Sequence, residues 1–155
     1  MALDLLKVGD VAPDFSLKNH KNEEVSLDEF KNKNIVMWFF PKANTPGWTI
    51  EGNGFREEFK EFQTLGYDII GVSADSPVKQ NKFSEKYNFP FQMLCDESHS
   101  MLESYKVWQL KKFMGREYMG IVRVTYIINS SGKIERVYDS VKTKTHAQDI
   151  LYDIG

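Results

Sequence analysis

Three short, predominantly apolar runs in the middle of the chain constrain its fold more than any other feature. They occupy residues 35–40, 69–73 and 91–94. An apolar run of this length without polar alternation is typical of a strand that is buried on both faces, as in a parallel sheet covered by helices. The three runs therefore predict a central sheet.

The segment between the first two runs has the periodicity of a helix. Apolar side chains recur there at helical spacing, with charged residues on the opposite face and Gly66 as a stop signal. The apolar positions are Ile50, Phe55, Phe59, Phe62 and Leu65. This pattern predicts a strand-helix-strand unit whose phenylalanine stripe belongs to the core.

Shorter helices are predicted further along the chain. Ser76 and Pro77 supply a cap and a first-turn proline for a second helix, which ends before Pro90. Residues 98–105 favour a third helix, and residues 145–151 begin a terminal one.

Two hairpins complete the pattern. The first pairs residues 8–17 with 24–27 and is followed by one helical turn, and the second pairs residues 121–128 with 133–138 around a turn. Two helix-linked parallel strands followed by an antiparallel pair predict an α/β fold of the thioredoxin-like type. We expect three layers, with a central mixed sheet flanked by helices and an N-terminal β-hairpin.

Composition narrows the functional classes. At 155 residues and 41% hydrophobic, we expect a single domain spanning residues 1–155. A formal net charge of -2 without a long basic run argues against a nucleic-acid partner. No leader pattern or membrane span is visible, so we expect a cytoplasmic protein without a membrane partner. Cys95 is the only cysteine, which excludes an internal disulfide and a cysteine-based metal cluster.

One segment carries a chemical motif. After an apolar strand, Pro41, Thr45 and Trp48 follow one another in the spacing Pro-x-x-x-Thr-x-x-Trp, at the start of the first predicted helix. Apart from Trp48, this segment resembles the active site of a peroxiredoxin of the bacterioferritin-comigratory, or PrxQ, type, in which a reactive cysteine stands at position 48. The resemblance covers residues 6–151, and it is also carried by residues 9–15, 71–76 and 118–126.

The resemblance implies a thiol peroxidase, an antioxidant enzyme of cell redox homeostasis. Such an enzyme reduces hydrogen peroxide and organic hydroperoxides at the expense of thioredoxin or a similar dithiol, and its nucleophile is a thiolate. No metal or organic cofactor is implied. Members of this subgroup are often monomeric, so we expect a monomer.

The resemblance also implies a site. Position 48 would hold the sulfur in the first turn of the helix, where backbone N–H groups favour an anion. Thr45 and Arg123 would bond the thiolate and the peroxide oxygens, Pro41 would cover the sulfur, and Glu51 would help orient the arginines and the first turn. Because an indole is far larger than a thiol, we further expect residues 44–52 to depart from a regular helix start.

Trp48 offers no nucleophile, so the chain as written is expected to be an inactive variant. The intact remainder of the motif favours an engineered replacement in an active parent. The alternative is a natural pseudo-peroxiredoxin that acts as a binding or chaperone-like protein. The family's resolving cysteine is missing too: one common place for it is Asn53, and another lies near Ser84, which is either native or a second replacement.

The other reactive side chains have ordinary interpretations. Cys95 is either a substitute thiol or a small buried hydrophobe, and the second is favoured because no histidine, lysine or helix start adjoins it. The three histidines lack ligand spacing, and surface or capping roles are expected for His20, His99 and His146. Trp38 and Trp108 are interpreted as packing residues.

Overall fold

The computed structural model describes residues 4–42, 46–139 and 142–155, and the side chains of Pro46, Trp48 and Phe113 lie outside this description. The strands are β1 (Ser16–Asn19), β2 (Glu24–Ser26), β3 (Asn34–Phe39), β4 (Tyr67–Ser73), β5 (Gln92–Cys95), β6 (Trp108–Phe113), β7 (Arg116–Ile121), β8 (Val124–Ile128) and β9 (Ile134–Tyr138). A mixed seven-stranded sheet has the order β2-β1-β5-β4-β3-β8-β9, and β6 pairs with β7 in a separate ribbon.

The centre of the sheet is parallel. Strands β3, β4 and β5 run in the same direction, joined by α1 (Pro46–Thr64) and α2 (Pro77–Tyr87). These strands are the three apolar runs, so the predicted strand-helix-strand arrangement is confirmed. Their carboxyl ends meet at one edge of the sheet, where open α/β sheets place their functional residues.

Helices cover both faces of the sheet in three layers. Side chains alternate along a strand, so Val36 and Trp38 of β3 face a cluster that includes residues of α1, α2 and α4 (His146–Ile154). Met37 and Phe39 face the other cluster, which includes the N-terminal segment and α3 (Ser100–Ser104). The thioredoxin-like three-layer fold predicted from the sequence is therefore confirmed.

The predicted helix boundaries follow from local chemistry. The side chain of Ser76 accepts a hydrogen bond from the backbone N–H of Lys79 at 3.4 Å, and Pro77 is the first residue of α2. Helix α1 ends just before Gly66, whose φ of +83° is accessible to glycine without strain. Within the described ranges, no helix is both long and apolar enough to cross a membrane.

The N-terminal hairpin is confirmed, although its first strand begins only at Ser16. The predicted helical turn after it is a 3-10 helix, Leu27–Phe30. Its start is fixed by Glu29, whose Oε2 accepts a hydrogen bond from the backbone N–H of Ser26 at 2.7 Å.

Two predicted elements need correction, and one element was missed. The second hairpin pairs β8 with β9, but Ile121 belongs to β7, and the chain leaves the strand at residues 122–123. The ribbon of β6 and β7 was missed, because adjacent Lys111 and Lys112 break the polar-apolar alternation that identifies a strand. The third helix is also shorter than predicted, since residues 98, 99 and 105 are not helical.

Candidate functional site

The predicted active-site segment lies at the carboxyl edge of the parallel strands. After β3, the backbone N–H of Phe40 donates to the carbonyl of Val72 at 3.1 Å, and half-buried Pro41 follows. Helix α1 begins at Pro46, which places position 48 in its first turn. Thr45 lies outside the described residues, so its predicted contact with this turn stays a prediction.

Arg123 reaches the same turn from the other side. It lies in the link between β7 and β8 and is half-buried. Its Nη2 is 3.4 Å from the point that a Cβ on Gly47 would occupy. The fold thus brings a guanidinium group to the helix start that carries position 48, across more than seventy residues of sequence.

Glu51 is buried one turn further along α1. Its side chain is almost fully enclosed, and neither carboxyl oxygen has a hydrogen-bond partner among the described residues. Burial raises the pKa of Glu51 to about 8, while the positive charge of Arg123 acts in the opposite direction. At neutral pH this carboxyl group is mostly protonated, and it brings little negative charge to the helix start.

The expected distortion of the helix start is wrong for the residues that the structure describes. Positions 46–52 are all helical and continue without a break to Thr64, whereas residues 44 and 45 lie outside the described ranges. The physical reason is that cooperative hydrogen bonding along a helix of 19 residues favours a regular backbone at its start. The expectation is therefore wrong for this backbone, and the fit of the Trp48 side chain lies outside the described residues.

A second cation stands near Arg123. The Nζ of Lys111 in β6 donates to the carbonyl of Ile121 at 2.9 Å, two residues before Arg123. Burial and then the charge of Arg123 lower the pKa of Lys111. The ribbon of β6 and β7 therefore carries positive charge to the mouth of the site.

Sequence reasoning missed a buried polar pair behind the site. His146 is 2% exposed and Thr125 is fully buried, and a hydrogen bond of 2.8 Å joins His146 Nε2 to Thr125 Oγ1. The surface or capping role expected for His146 is wrong. A signal was present, because His146 lies four residues before buried Ile150 and so shares the core-facing side of α4.

The two positions considered for a resolving cysteine lie near Phe89. The hydroxyl of Ser84, in α2, is 3.5 Å from the carbonyl oxygen of Phe89 and is buried. A Cβ on Gly52 would lie 2.5 Å from Cζ of Phe89, and Asn53 is the next residue of α1. Phe89 therefore packs between the first turns of α1 and the middle of α2.

Cys95 is a buried residue at the end of β5, as favoured from the sequence. Burial, with the negative charges of Glu97 and Asp75, raises the pKa of its thiol to about 12. Such a thiol forms almost no thiolate at neutral pH, which argues against the substitute-nucleophile interpretation. The tryptophans also pack as expected: Trp38 is fully buried, and Trp108 stacks on His99 at 3.9 Å between ring centroids.

The arrangement favours a negative charge. The N-terminus of a long helix and the Arg123 guanidinium stabilise an anion in the first turn of α1, the Lys111 ammonium adds positive charge near Arg123, and the protonated Glu51 does not oppose them. The indole at position 48 supplies no group that could carry out nucleophilic attack.

The chain matches known proteins over nearly its whole length. A profile described as the AhpC/TSA family matches residues 8–137. Peroxiredoxin Bcp of Escherichia coli (strain K12) is 42% identical over 146 residues, which are 94% of each chain. Peroxiredoxin Bcp of Bacillus subtilis (strain 168) is 44% identical over 146 residues, covering 94% of this chain and 93% of that protein.

Solved structures give the same result. Peroxiredoxin Q of Xanthomonas campestris superposes with a TM-score of 0.85 at 28% identity, over 90% of this chain and 89% of that one. Peroxidoxin BcpB from Mycobacterium tuberculosis superposes with a TM-score of 0.85 at 29% identity, over 96% of both chains. The similarity therefore extends from sequence to the complete three-layer fold.

Proposed function

The chain belongs to the AhpC/TSA family, among the Bcp and PrxQ peroxiredoxins, which are thiol peroxidases, and we propose that it keeps their peroxide site without their nucleophile. In this proposal Arg123, Thr45 and Pro41 form the peroxide site around position 48, and Glu51 supports the first turn of α1. The chain as written is then an inactive variant of a thioredoxin-dependent hydroperoxide reductase.

The family chemistry explains why the replacement abolishes turnover. A thiolate attacks one oxygen of the hydroperoxide, an S–O bond forms as the O–O bond breaks, and the other oxygen leaves as hydroxide or alkoxide. The sulfur becomes a sulfenic acid, which a dithiol such as thioredoxin then reduces. An indole at position 48 can perform neither step.

Approximate free energies indicate which part of the proposed site contributes most to the acceleration of peroxide reduction in the family. Lowering a cysteine pKa from ~8.5 to about 6 raises the thiolate fraction at neutral pH only about thirtyfold, or roughly 2 kcal/mol. The larger share of the acceleration then comes from donors held around the reacting oxygens. Arg123 at the first turn of α1 is the observation that carries the proposal, since a guanidinium there suits both the thiolate and the oxygens.

The test compares the chain as written with its Trp48→Cys variant. We expect no thioredoxin-coupled peroxide reduction by the former, and stopped-flow reduction of hydrogen peroxide by the latter. Adding Arg123→Ala to the variant is expected to slow it by more than the about thirtyfold that thiolate fraction explains. Peroxide consumption by the chain as written that disappears in Cys95→Ser would overturn the proposal, and so would a folded Trp48→Cys variant no faster than a small thiol.

One observation favours the second candidate, a non-enzymatic binding protein. The ribbon of β6 and β7 exposes a set of large apolar side chains, namely Leu110, Met114, Tyr118 and Met119. Exposed apolar side chains grouped on one element are typical of interaction surfaces. A Trp48→Cys variant that folds but reduces no peroxide would favour this function over a recent loss of the cysteine.

Finer properties belong to the same proposal. We propose a single domain, a monomer, and a cytoplasmic location with thioredoxin or a similar dithiol as the partner of the active parent. The bacterial Bcp relatives support a thioredoxin-type partner through their family chemistry. Sedimentation velocity at several concentrations tests the monomer, and a concentration-dependent mass would contradict it.

A further inference from the structure

We propose that His146 is a positioning residue. Through its hydrogen bond to Thr125, it holds the strand that follows Arg123 so that the guanidinium stands at the first turn of α1. Arg123 belongs to the proposed peroxide site, so this role rests on the proposed function.

The bond between the two side chains is shielded from solvent. His146 is 2% exposed, Thr125 is fully buried, and the two polar atoms are 2.8 Å apart. A buried polar group that loses a hydrogen-bond partner bears a desolvation cost. Each side chain therefore holds the other in one position, which a solvent-exposed pair could not do.

Thr125 and Arg123 are linked by strand geometry. They are two residues apart, and although Arg123 precedes β8, its neighbours Val122 and Val124 both pack in the cluster on the opposite face, so the alternation of the strand extends to Arg123. Thr125 lies in the ladder of β8, opposite Trp38 of β3 and Tyr138 of β9. Arg123 precedes the first residue of β8, so the direction of its side chain depends on how Thr125 anchors the strand.

The His146 ring is also fixed from α1. It packs edge-on against Phe55 at 5.6 Å and against Tyr138 at 5.5 Å, both measured between ring centroids. Contacts lead from Phe55 of α1 through His146 to Thr125, the backbone connects Thr125 to Arg123, and Arg123 returns to α1 at Gly47. A closed path of this kind couples the guanidinium to the helix that it serves.

The role is geometric and does not involve proton transfer. The pKa of His146 is lowered to about 4, chiefly by burial; the charge of Asp149 acts in the opposite direction, and the charge of Arg123 adds to the lowering. The ring is therefore neutral at physiological pH and adds no repulsion to Arg123. Its electrically neutral bond to Thr125 can set position without changing the charge of the site.

The experiment uses the Trp48→Cys background and reads the pKa of the introduced thiol by its alkylation rate against pH, with peroxide reduction as a second readout. Thr125→Val removes only the hydroxyl. We expect it to raise the thiol pKa by about one unit and to slow peroxide reduction about tenfold, as a small misplacement of a positioned group does. His146→Leu should give the same changes, and the double variant should be no worse than either single one.

Two controls separate positioning from loss of stability. Thr125→Ser keeps the hydroxyl and should restore both readouts. Tyr126→Phe removes a buried hydroxyl from the next residue of β8, where it donates to the carbonyl of Tyr105 at 2.8 Å on the opposite face of the sheet. Tyr126→Phe should lower the melting temperature. It should leave the thiol pKa unchanged and the rate of peroxide reduction within about twofold of the Trp48→Cys variant.

The outcomes distinguish this role from the proposed function. If Arg123→Ala shifts the thiol pKa but Thr125→Val and His146→Leu do not, the positioning role is wrong and the proposed function stands. If the Trp48→Cys variant reduces no peroxide, the proposed function fails, and the pKa readout still decides the role of His146. An Arg123→Ala variant with an unchanged thiol pKa would overturn both.

Discussion

At the scale of single residues, Glu51 shows how burial reverses the usual contribution of a carboxyl group. Its pKa in the folded protein is about 8, against 4.5 as the ordinary value. A group whose folded pKa is raised contributes stability fully below the unfolded pKa, and that contribution is lost as pH rises through the folded pKa. Glu51 should therefore destabilise the protein progressively between pH 4.5 and 8.

We expect Glu51→Gln to remove this loss, because the amide cannot ionise. Relative to the unmodified chain, the variant should gain on the order of 4 kcal/mol in free energy of unfolding on going from pH 4.5 to pH 8. Urea unfolding at both pH values measures the change. Glu61→Gln, on the exposed face of the same helix, is the matched control. An equal effect of pH on both variants would show that Glu51 is not a buried neutral acid.

His146 should respond to pH in the opposite direction. Its folded pKa is about 4, below the ordinary 6.5, so the neutral buried ring contributes stability above pH 6.5 that is lost as pH falls towards 4. The charged or titratable groups around it are Arg123, Asp149 and Tyr138.

Ionisation of Glu51 changes stability with pH in the opposite direction, so the test uses the Glu51→Gln background. There we expect the free energy of unfolding to fall by about 3 kcal/mol between pH 6.5 and 4. His146→Gln should flatten this slope, as measured by urea unfolding across the same range. If the free energy of unfolding still falls as steeply with pH when both Glu51→Gln and His146→Gln are present, the fall comes from another group and the prediction for His146 is wrong.

At the scale of elements, the glycines of α1 determine how closely its neighbours approach. A Cβ on Gly52 would lie 2.5 Å from Cζ of Phe89, whereas a Cβ on Gly54 would lie at 3.6 Å from Cβ of Ala147 in α4. The first distance requires Phe89 to move, and the second is an ordinary contact. The close approach of Phe89 therefore accounts for Gly52, whereas the space beside Gly54 accommodates a methyl group.

Gly52→Ala and Gly54→Ala form a matched pair. Alanine gains about 1 kcal/mol of helix propensity at either position, but overpacking against Phe89 costs about 1–3 kcal/mol. We expect Gly54→Ala to raise the urea midpoint and Gly52→Ala to lower it or leave it unchanged. A clear rise in both variants would mean that Phe89 yields without cost.

At the scale of the whole molecule, Cys95 reports on the integrity of the sheet. It lies in β5 between β1 and β4, opposite Lys18 and Ser73, and it is the only thiol in the chain. Its burial raises its pKa to about 12. Both features protect the thiol as long as the sheet is intact.

We expect a disulfide reagent such as DTNB to label Cys95 only slowly in the native protein. In urea, the labelled fraction should follow the cooperative transition seen by circular dichroism, because exposure of β5 requires the central sheet to open. Rapid labelling in the absence of urea would show a local opening at the end of β5. The Cys95→Ser variant supplies the zero of the assay.

The sequence by itself determined the central layers of this protein. The strands β3, β4 and β5 and the buried stripe of α1 could be predicted because burial imposes a local period of apolar residues on each element. The motif around position 48 could be recognised for a related reason, since its residues are close together in the chain. The ribbon of β6 and β7 could not be predicted, because its exposed apolar side chains and adjacent lysines do not alternate regularly between polar and apolar residues.

Only the tertiary structure decided what surrounds the first turn of α1. The approach of Arg123 to Gly47 and the bond between Thr125 and His146 join residues that are distant in sequence, and no local pattern specifies such contacts. The same holds for Glu51, since a glutamate on a helix is ordinarily exposed and becomes a buried neutral acid only when other elements enclose it. Sequence patterns record which face of an element is buried, whereas the partners that meet there depend on how the elements pack.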